Sequence, residues 1–594
     1  MINFVAGRRF GCGVIVLASL MVMQVARAQT TNSWIASSSG KWEKAQRWDN
    51  GLPSANQSAV IITNDDSKIV TINARTARRL PDSLTISNLI VSAPPGSINT
   101  VFLDRTRAAA LHILDGLSIG SLPSGLPVEE SRFISINSTV IVDGLLGGQL
   151  EDDGTMAIFG GSLITTNCSL QVGDNNAAGL LRISRADVQA RDVTITSGTH
   201  SSGTIEVQGG TMTLSSSLTV GNGFDNAPGN MLVAGGARLV VTNDETDIGG
   251  ALESSGSLTV SNATFLAADI FLGGTKSEGE LTINNGTVSL SGELGIGAGG
   301  EQCSGSVSLD GGTLVVTNGE THLGVGSPSV GSLAIVDGLF LARDVYVGAN
   351  ESEGALFING GVSVLSSNLQ IGVVGSEATV SIDGGQLFVT NAAIVVDDNG
   401  QCNVSSGELA ARIIELGSSD EGTLTVDGGS VTVSEGITLG DCQDASVVGY
   451  ASVDGGELIV ANSAGSGFID VRNGQLIVGG GVVRVDKLVM TNTCSSLVHT
   501  GGTIVAGNVV LDPDAFGVTS VAQEGNDVRV TWLMGPGQIN ALQARPGRTR
   551  HHTNDFVDIF VVTNNTMPGV VTNYLDIGAA TNVPSRVYRA KLFP

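Results

Sequence analysis

The sequence predicts an all-β protein, a parallel β-helix solenoid followed by a small C-terminal β-sandwich-like module. The phrase GGTLVVTNGETHLG at 311–324 recurs in variant form about every 24 residues, a period typical of small solenoid repeats. Within each unit apolar and polar residues alternate with a period of two between glycines and asparagines, which indicates short strands. The composition supports this prediction, because 81 glycines, 41% hydrophobic and only 4% aromatic residues among 594 fit neither a disordered chain nor an ordinary mixed enzyme.

The first 28 residues predict a signal peptide. Arg8 and Arg9 precede an apolar run, and Ala26-Arg27-Ala28 supplies the small-x-small pattern of a cleavage site. We therefore expect a secreted or cell-surface protein, in the periplasm or outside the cell. Removing this segment takes away three arginines and no acidic residue, so the formal net charge changes from -26 to -29. This acidity argues against nucleic acid as a partner, and no later apolar run is long enough to span a bilayer.

The predicted domain boundaries follow from where the repeat begins and ends: 29–62 for an N-terminal cap and first strand, 63–515 for the β-helix with regular repeats over about 155–510, and 516–594 for the C-terminal module. The cap contains Trp34, Trp42 and Trp48, three of the four tryptophans. These side chains can shield the strand edge that the first coil would otherwise expose.

Each repeat is expected to form one coil of three short strands and three bends, with right-handed winding. Strands of successive coils pair in parallel at about 4.8 Å, and their inward aliphatic side chains build one continuous core, which predicts a monomeric rod. One corner of each coil is placed at the second residue of a glycine pair or its equivalent, where a positive φ or a close backbone approach favours glycine. The predicted corner residues are Gly161, Ala186, Gly210, Gly236, Ala263, Gly286, Gly312, Gly338, Gly361, Gly385, Gly407, Gly429, Gly456, Gly474 and Gly502.

Asparagine follows the corner by six or seven residues in six repeats, at Asn167, Asn243, Asn318, Asn368, Asn391 and Asn462. One interpretation is a ladder in which the side-chain amides of successive coils bond to one another. The other is that asparagine tolerates the left-handed geometry of a turn. Both interpretations are structural.

Five cysteines follow the predicted signal peptide, at Cys168, Cys303, Cys402, Cys442 and Cys494. An odd and scattered set is a poor disulfide framework, and it contains no CxxC metal-binding motif. Cys402 takes an apolar strand position, which predicts a small buried hydrophobic side chain.

Several phrases resemble the autotransporter-associated β-strand repeat of bacterial secreted proteins, namely GELTINNGTVSL at 279–290, GSVSLDGGTLVV at 305–316 and GTLTVDGGSVTV at 422–433. The resemblance implies a parallel β-helix and no particular activity, and no translocator barrel is expected in this chain. The opening segment 34–62 is similar to the start of such passengers, with Arg47 where their pattern has asparagine. The tail resembles a small β-sandwich of bacterial secreted proteins that ends in a YR-x-x-L-x-P pattern, which implies a cap or an attachment module.

Two outward columns are predicted on one face of the solenoid. Counting back two residues from each aliphatic-Gly glycine gives Asp247, Phe271, Gly295, His322, Tyr346 and Gln370, and counting back four gives Glu245, Asp269, Glu293, Glu320, Asp344 and Asn368. Phe271, His322, Tyr346 and Gln370 form a candidate binding face. The five carboxylates form either a solvated acidic face or, where ring side chains shield them, a loose calcium site of oxygen ligands. No other cofactor is expected.

These features favour a non-enzymatic extracellular or cell-surface protein, adhesin-like or matrix-interacting, with an extracellular surface or a polysaccharide as its partner. The alternative is a polysaccharide lyase or glycoside hydrolase on a β-helix scaffold. Such a site needs clustered acids or bases. The pairs Asp152-Asp153, Asp397-Asp398 and His551-His552 are better explained as solvated loops, so no catalytic residue is assigned.

Overall fold

The computed structural model describes residues 30–120, 130–144, 147–150, 154–174, 178–224, 227–373, 375–444, 446–492, 494–511, 518–534, 539–546, 556–563, 570–582 and 586–593. The predicted signal peptide lies outside these ranges.

The described residues between 30 and 511 form an elongated parallel β-solenoid of about 16 turns, and helices account for only 3% of the structure. Its 36 strands join one continuous sheet, because each strand pairs in parallel with the equivalent strand one coil away. Several strands continue through the bends, so a single strand such as the segment Ser304–Val325 follows almost a whole coil. The all-β and parallel β-helix predictions are confirmed.

The strands of the first half of the solenoid are β1 (Thr30–Ser33), β2 (Gly40–Lys41), β3 (Gln57–Ile62), β4 (Lys68–Asn73), β5 (Thr85–Val91), β6 (Asn99–Asp104), β7 (Leu111–Ile119), β8 (Ser131–Val142), β9 (Gly147–Leu150), β10 (Gly154–Asp174), β11 (Ala178–Thr199), β12 (Ser202–Leu214), β13 (Leu218–Phe224), β14 (Pro228–Ala234), β15 (Arg238–Ile248), β16 (Ser255–Ser261), β17 (Thr264–Gly274) and β18 (Glu278–Asn284). A short helix, α1 (Ala74–Arg79), follows β4, and 3-10 turns span Ala45–Arg47 and Pro81–Leu84.

The remaining solenoid strands are β19 (Thr287–Leu290), β20 (Leu294–Gly299), β21 (Ser304–Val325), β22 (Val330–Ala349), β23 (Glu353–Ile358), β24 (Val362–Leu365), β25 (Leu369–Ile371), β26 (Glu377–Val396), β27 (Gly400–Leu416), β28 (Gly422–Val426), β29 (Ser430–Leu439), β30 (Gly449–Val453), β31 (Glu457–Val460), β32 (Phe468–Val471), β33 (Gly474–Val478), β34 (Val482–Met490), β35 (Ser495–His499) and β36 (Thr503–Leu511).

The backbone supports the role of the predicted corners. Gly312 has a φ of 79°, and a Cβ there would overlap the carbonyl oxygen of Gly286 on the previous coil. At four corners the left-handed residue is instead the one before the predicted position, and these residues are Arg185, Asn262, Asn285 and Gly384. The corner therefore requires a left-handed residue, but that residue need not be the second of the pair.

Two corner assignments are wrong. Ala237 rather than Gly236 stacks on Gly210. Gly481 rather than Gly474 stacks between the corners at 456 and 502. Gly474 begins β33 and pairs with Gly449, the first residue of β30. Because glycine occurs both at the corner and at the start of the third strand, spacing alone cannot distinguish the two positions.

The core is one continuous cluster of inward Ile, Val and Leu side chains from the first coil to the last, and tryptophans cover its N-terminal end. Trp34, Trp42 and Trp48 are all buried, with the Trp48 ring packed edge-on at 5.1 and 4.9 Å from the other two. Arg47 lies 5.6 Å from the Trp34 ring and donates to the Ser38 carbonyl at 2.8 Å. Arg47 thus fixes the loop before β2.

The asparagine positions do not form an amide ladder. Asn243 and Asn462 donate instead to the backbone carbonyls of Ser215 and Ser434 on the preceding coil, at 3.3 and 2.8 Å. None of the six predicted residues, all of which the structure describes, has a positive φ, so the left-handed interpretation is also wrong. At these two positions the asparagine side chain stabilises the turn by bonding to the neighbouring backbone.

Two of the cysteines form a disulfide, which corrects the expectation from their spacing. Cys442 and Cys494 are 52 residues apart in sequence, and their Cα atoms are 6.1 Å apart. They lie in loops two coils apart, on either side of the short turn at 472–473. Cys402 is buried and burial raises its pKa to about 12, so the prediction of a buried hydrophobic side chain is confirmed.

The C-terminal module consists of two small antiparallel sheets. One has the order β37 (Val518–Glu524), β38 (Asp527–Met534) and β41 (Val570–Asp576), and the other has the order β40 (Val557–Thr563), β39 (Ile539–Pro546) and β42 (Arg586–Phe593). A second helix, α2 (Ala579–Asn582), precedes β42. Val530, Trp532, Met534 and Leu542 form a core separate from that of the solenoid. Neither helix of the described chain has the length and apolar character needed to cross a bilayer.

Candidate functional site

The strand register places the predicted outward residues in continuous columns. Asp247 pairs with Phe271, Phe271 with Gly295, and Gly295 with His322. His322 then pairs with Tyr346, and Tyr346 with Gln370. The carboxylate column follows the same register, since Glu245 pairs with Asp269 and Glu320 with Asp344, while Glu293 precedes Leu294 on the coil between them.

The side chains of both columns point outward, whereas the side chains between the columns point inward. Ile270, Leu294 and Val345 lie between the two columns and are fully buried. Thr246 and Thr321 take the same inward position on their coils, and their hydroxyl groups are buried without a hydrogen-bond partner in the structure. Alternation along each strand thus sends both flanking side chains to the surface.

Ring side chains form a stripe along this face. The His322 and Tyr346 rings are stacked, with centroids 5.0 Å apart and an interplanar angle of 12°. The Phe271 ring lies over Gly295, where an added Cβ would be 2.7 Å from the ring Cδ1 atom. Because glycine leaves room for this ring, Phe271, His322 and Tyr346 cover four successive coils.

Basic groups and backbone amides contact the carboxylate column. His322 Nε2 is 3.2 Å from Glu320 Oε2 and 3.6 Å from Glu293 Oε1. Arg343 Nε donates to Asp344 Oδ2 at 2.7 Å, and Arg343 Nη2 lies 3.6 Å from Glu320 Oε1. The backbone N–H of Glu293 donates to Asp269 Oδ1 at 2.5 Å. Arg343 therefore neutralises part of the column's charge.

Three pKa shifts describe the electrostatics of this face. Burial raises the pKa of Asp247 to about 6, with help from Glu245 and Asp244. Burial also opposes ionisation of Asp344, but hydrogen bonds from Ser367, Arg343 and the Asn368 backbone outweigh it and lower the pKa of Asp344. The pKa of Tyr346 is raised, by burial and by the nearby acids Glu320 and Asp344.

The predicted calcium site remains a prediction. The described residues contain no group of three or more His, Cys, Asp or Glu side chains arranged to hold a metal ion. Carboxylate oxygens of Asp269 and Asp344 already accept hydrogen bonds. A cation would therefore compete with these contacts for the same oxygens.

Sequence reasoning missed the arginines that join neighbouring coils. In the phrase ARDV, which occurs at 190–193 and again at 342–345, the arginine donates to the following aspartate, and its Nη1 donates to an asparagine carbonyl one coil back. That second bond runs from Arg191 to Asn167 at 3.4 Å and from Arg343 to Asn318 at 2.8 Å. The repetition of ARDV was the available signal.

The predicted solvated loop at Asp397 is wrong. The Asp397 carboxylate is buried and accepts hydrogen bonds from the backbone N–H groups of Ser418, Ser419 and Asp420 at 2.6, 2.9 and 3.2 Å, and from both serine hydroxyls. It holds the next coil's loop in place. The pairs Asp152-Asp153 and His551-His552 lie outside the described residues.

Comparison with known proteins finds no protein-family model and no curated protein that matches the chain. The fold alone defines the class of protein, a parallel β-solenoid with a C-terminal antiparallel module. The relation to autotransporter-associated repeats remains a proposal that rests on the repeated phrases.

Proposed function

We propose that the protein is a non-enzymatic extracellular or cell-surface rod, adhesin-like or matrix-interacting, of the autotransporter-passenger type. Its ligand is a polysaccharide that binds the face formed by Phe271, His322, Tyr346 and Gln370. The observation that carries the proposal is the stacked pair His322–Tyr346 beside Glu320 and the neighbouring carboxylates.

Sugars suit this face for two physical reasons. Aromatic rings pack against the C–H faces of sugar rings, and carboxylates accept hydrogen bonds from sugar hydroxyls. Because the columns run along the rod axis, a linear polysaccharide lying along them contacts several coils at once, and weak contacts add.

Two features support export of the chain. The opening 28 residues have the pattern of a signal peptide. The disulfide Cys442–Cys494 is of a kind that forms and persists in oxidising compartments such as the periplasm and the exterior. Since each coil packs on its neighbours and needs no second chain, we propose a monomeric rod.

The test is binding of the mature chain to a panel of neutral and acidic polysaccharides. Replacing His322 and Tyr346 by alanine removes two rings, so we expect affinity for the bound polysaccharide to fall at least about tenfold. Tyr450→Ala is the matched control, because Tyr450 points outward from a different strand of the coil and its loss leaves this face intact.

Two results would contradict the proposal. An equal loss of affinity in Tyr450→Ala and in the double alanine variant would show that the polysaccharide does not bind this face. New reducing ends or unsaturated products in the bound polysaccharide would support the alternative, a polysaccharide lyase or glycoside hydrolase.

A further inference from the structure

The C-terminal module differs in charge from the solenoid. Residues 1–515 contain 51 acidic and 23 basic residues, whereas residues 516–594 contain five acidic and seven basic residues. The solenoid therefore repels anions that the module can attract, and the two parts are suited to partners of different charge.

One side of the sheet β40–β39–β42 carries three of these cations. Side chains alternate along each strand, so Leu542 and Tyr588 contact the module core while Arg545, Arg589 and Lys591 lie on the opposite side. Lys591 is exposed and the two arginines are half-buried. We call this side, with the adjacent Phe556 and Phe593, the basic sheet face.

Aromatic and apolar side chains lie between the cations. The Phe556 ring is 4.0 Å from the guanidinium carbon of Arg589 and 5.0 Å from that of Arg545, and Lys591 Nζ is 5.0 Å from the Phe593 ring. Val561 on the same side is 54% exposed. The basic sheet face thus combines positive charge with apolar surface that stays in contact with solvent.

Among the residues that the structure describes on this side, the acid is Asp558, and it is bonded within the sheet. Gln543 donates to Asp558 Oδ1 at 2.5 Å and accepts from Arg589 Nε at 2.7 Å, which links the three strands. Arg545 Nε is buried without a hydrogen-bond partner in the structure. Lys591, whose side chain is exposed, offers this face an accessible donor.

The geometry points to the basic sheet face as a docking surface for a carboxylated polysaccharide. Guanidinium and ammonium groups pair with sugar carboxylates, and Phe556, Phe593 and Val561 pack on the C–H faces of the sugar rings. This docking surface is independent of the polysaccharide-binding face proposed on the solenoid.

The test measures binding of the mature chain to immobilised polygalacturonate, with neutral dextran as the reference surface. We expect binding at low salt that high salt removes, because ion pairs carry it. The variant Arg545→Gln/Lys591→Gln is expected to bind at least about tenfold more weakly, and Lys591→Arg is expected to bind like the wild type.

The matched control is Lys276→Gln/Arg484→Gln, which removes the same charge from exposed solenoid positions and is expected to bind like the wild type. Hydrogen exchange of the β38 amides checks that the module of the double variant stays folded. If the module of the double variant unfolds, Lys591→Gln alone is measured instead. Because Lys591 is exposed, this single variant is expected to stay folded and still to weaken binding.

Several outcomes would overturn the inference. These are absence of binding at low salt, equal affinity for dextran, or equal weakening by the solenoid control. Equally tight binding of duplex DNA would make the face a general polyanion surface. Self-association of the mature chain that the double variant abolishes would assign the face to the acidic solenoid of a second copy.

Discussion

Thr246 and Thr321 occupy an inward position that neighbouring coils fill with Ile, Leu or Val. The Thr321 side chain is fully buried, its hydroxyl has no hydrogen-bond partner in the structure, and the residue pairs with Val345 on the next coil. A buried hydroxyl without a partner costs about 1–3 kcal/mol of stability. Because valine has nearly the same shape, we expect Thr321→Val to raise the free energy of unfolding by about 1 kcal/mol.

Hydrogen exchange of the amides in β21 and β22 measures this change locally, which matters because a long solenoid does not unfold in a single step. Val345→Thr is the matched control at the same column position and should lower protection in the same strands. Faster exchange in Thr321→Val would show that the hydroxyl has a stabilising role, contrary to this prediction.

At the scale of the coil, the register defines which segment is a complete repeat. Val362 pairs with Gln386, and Ser363 pairs with Leu387. Deleting residues 363–386 therefore joins Val362 to Leu387, which takes the position of Ser363 in the stack. Ser363 and Leu387 are both inward and fully buried. We therefore expect this 24-residue deletion to give a folded rod one coil shorter, since stability comes from contacts between neighbouring coils.

Deleting residues 363–385 is the control that isolates register. It leaves one extra residue in the strand, and a shift of one residue turns inward side chains outward. We expect a folded, protease-resistant protein from the 24-residue deletion and locally unfolded coils, detected by limited proteolysis, from the 23-residue deletion. Similar protease resistance in the two variants would mean that register does not limit stability here.

Strand periodicity predicted the solenoid and the outward columns because both depend on alternation and a repeat length, which are visible in the sequence. The residues that it missed act across loops of variable length. Asp397 is held by the loop of the next coil, and Cys442 reaches a cysteine two coils away. Lys68 is buried, and its Nζ compensates the loss of water by donating to the carbonyls of Asn64 and Asp65 at 2.6 and 2.7 Å. Such pairings depend on which loops the stacking brings together, and the repeat pattern does not indicate them.

At the scale of the whole molecule, repulsion among its many carboxylates lowers the stability of the solenoid. Residues 201–400 contain 21 acidic and three basic residues, and the carboxylate column lies within this part. Carboxylates about 5 Å apart repel by about 0.8 kcal/mol in bulk water but by roughly 3 kcal/mol at an effective dielectric of 20. Arg343 and His322 contact Glu320 and its neighbours, but the stretch as a whole keeps a large negative charge.

Calcium should therefore stabilise this part of the rod. We expect millimolar calcium to raise the melting temperature, and Glu293→Gln/Glu320→Gln to remove most of that gain, because these two carboxylates flank His322 at the middle of the column. Glu278→Gln/Glu280→Gln removes the same charge from a different strand of the coil and should keep the calcium response. Sodium chloride at matched ionic strength separates screening from calcium binding, since screening weakens the repulsion at both the column pair and the control pair of carboxylates. A melting temperature that neither calcium nor a chelator changes would leave the column as a solvated acidic face that Arg343 neutralises in part.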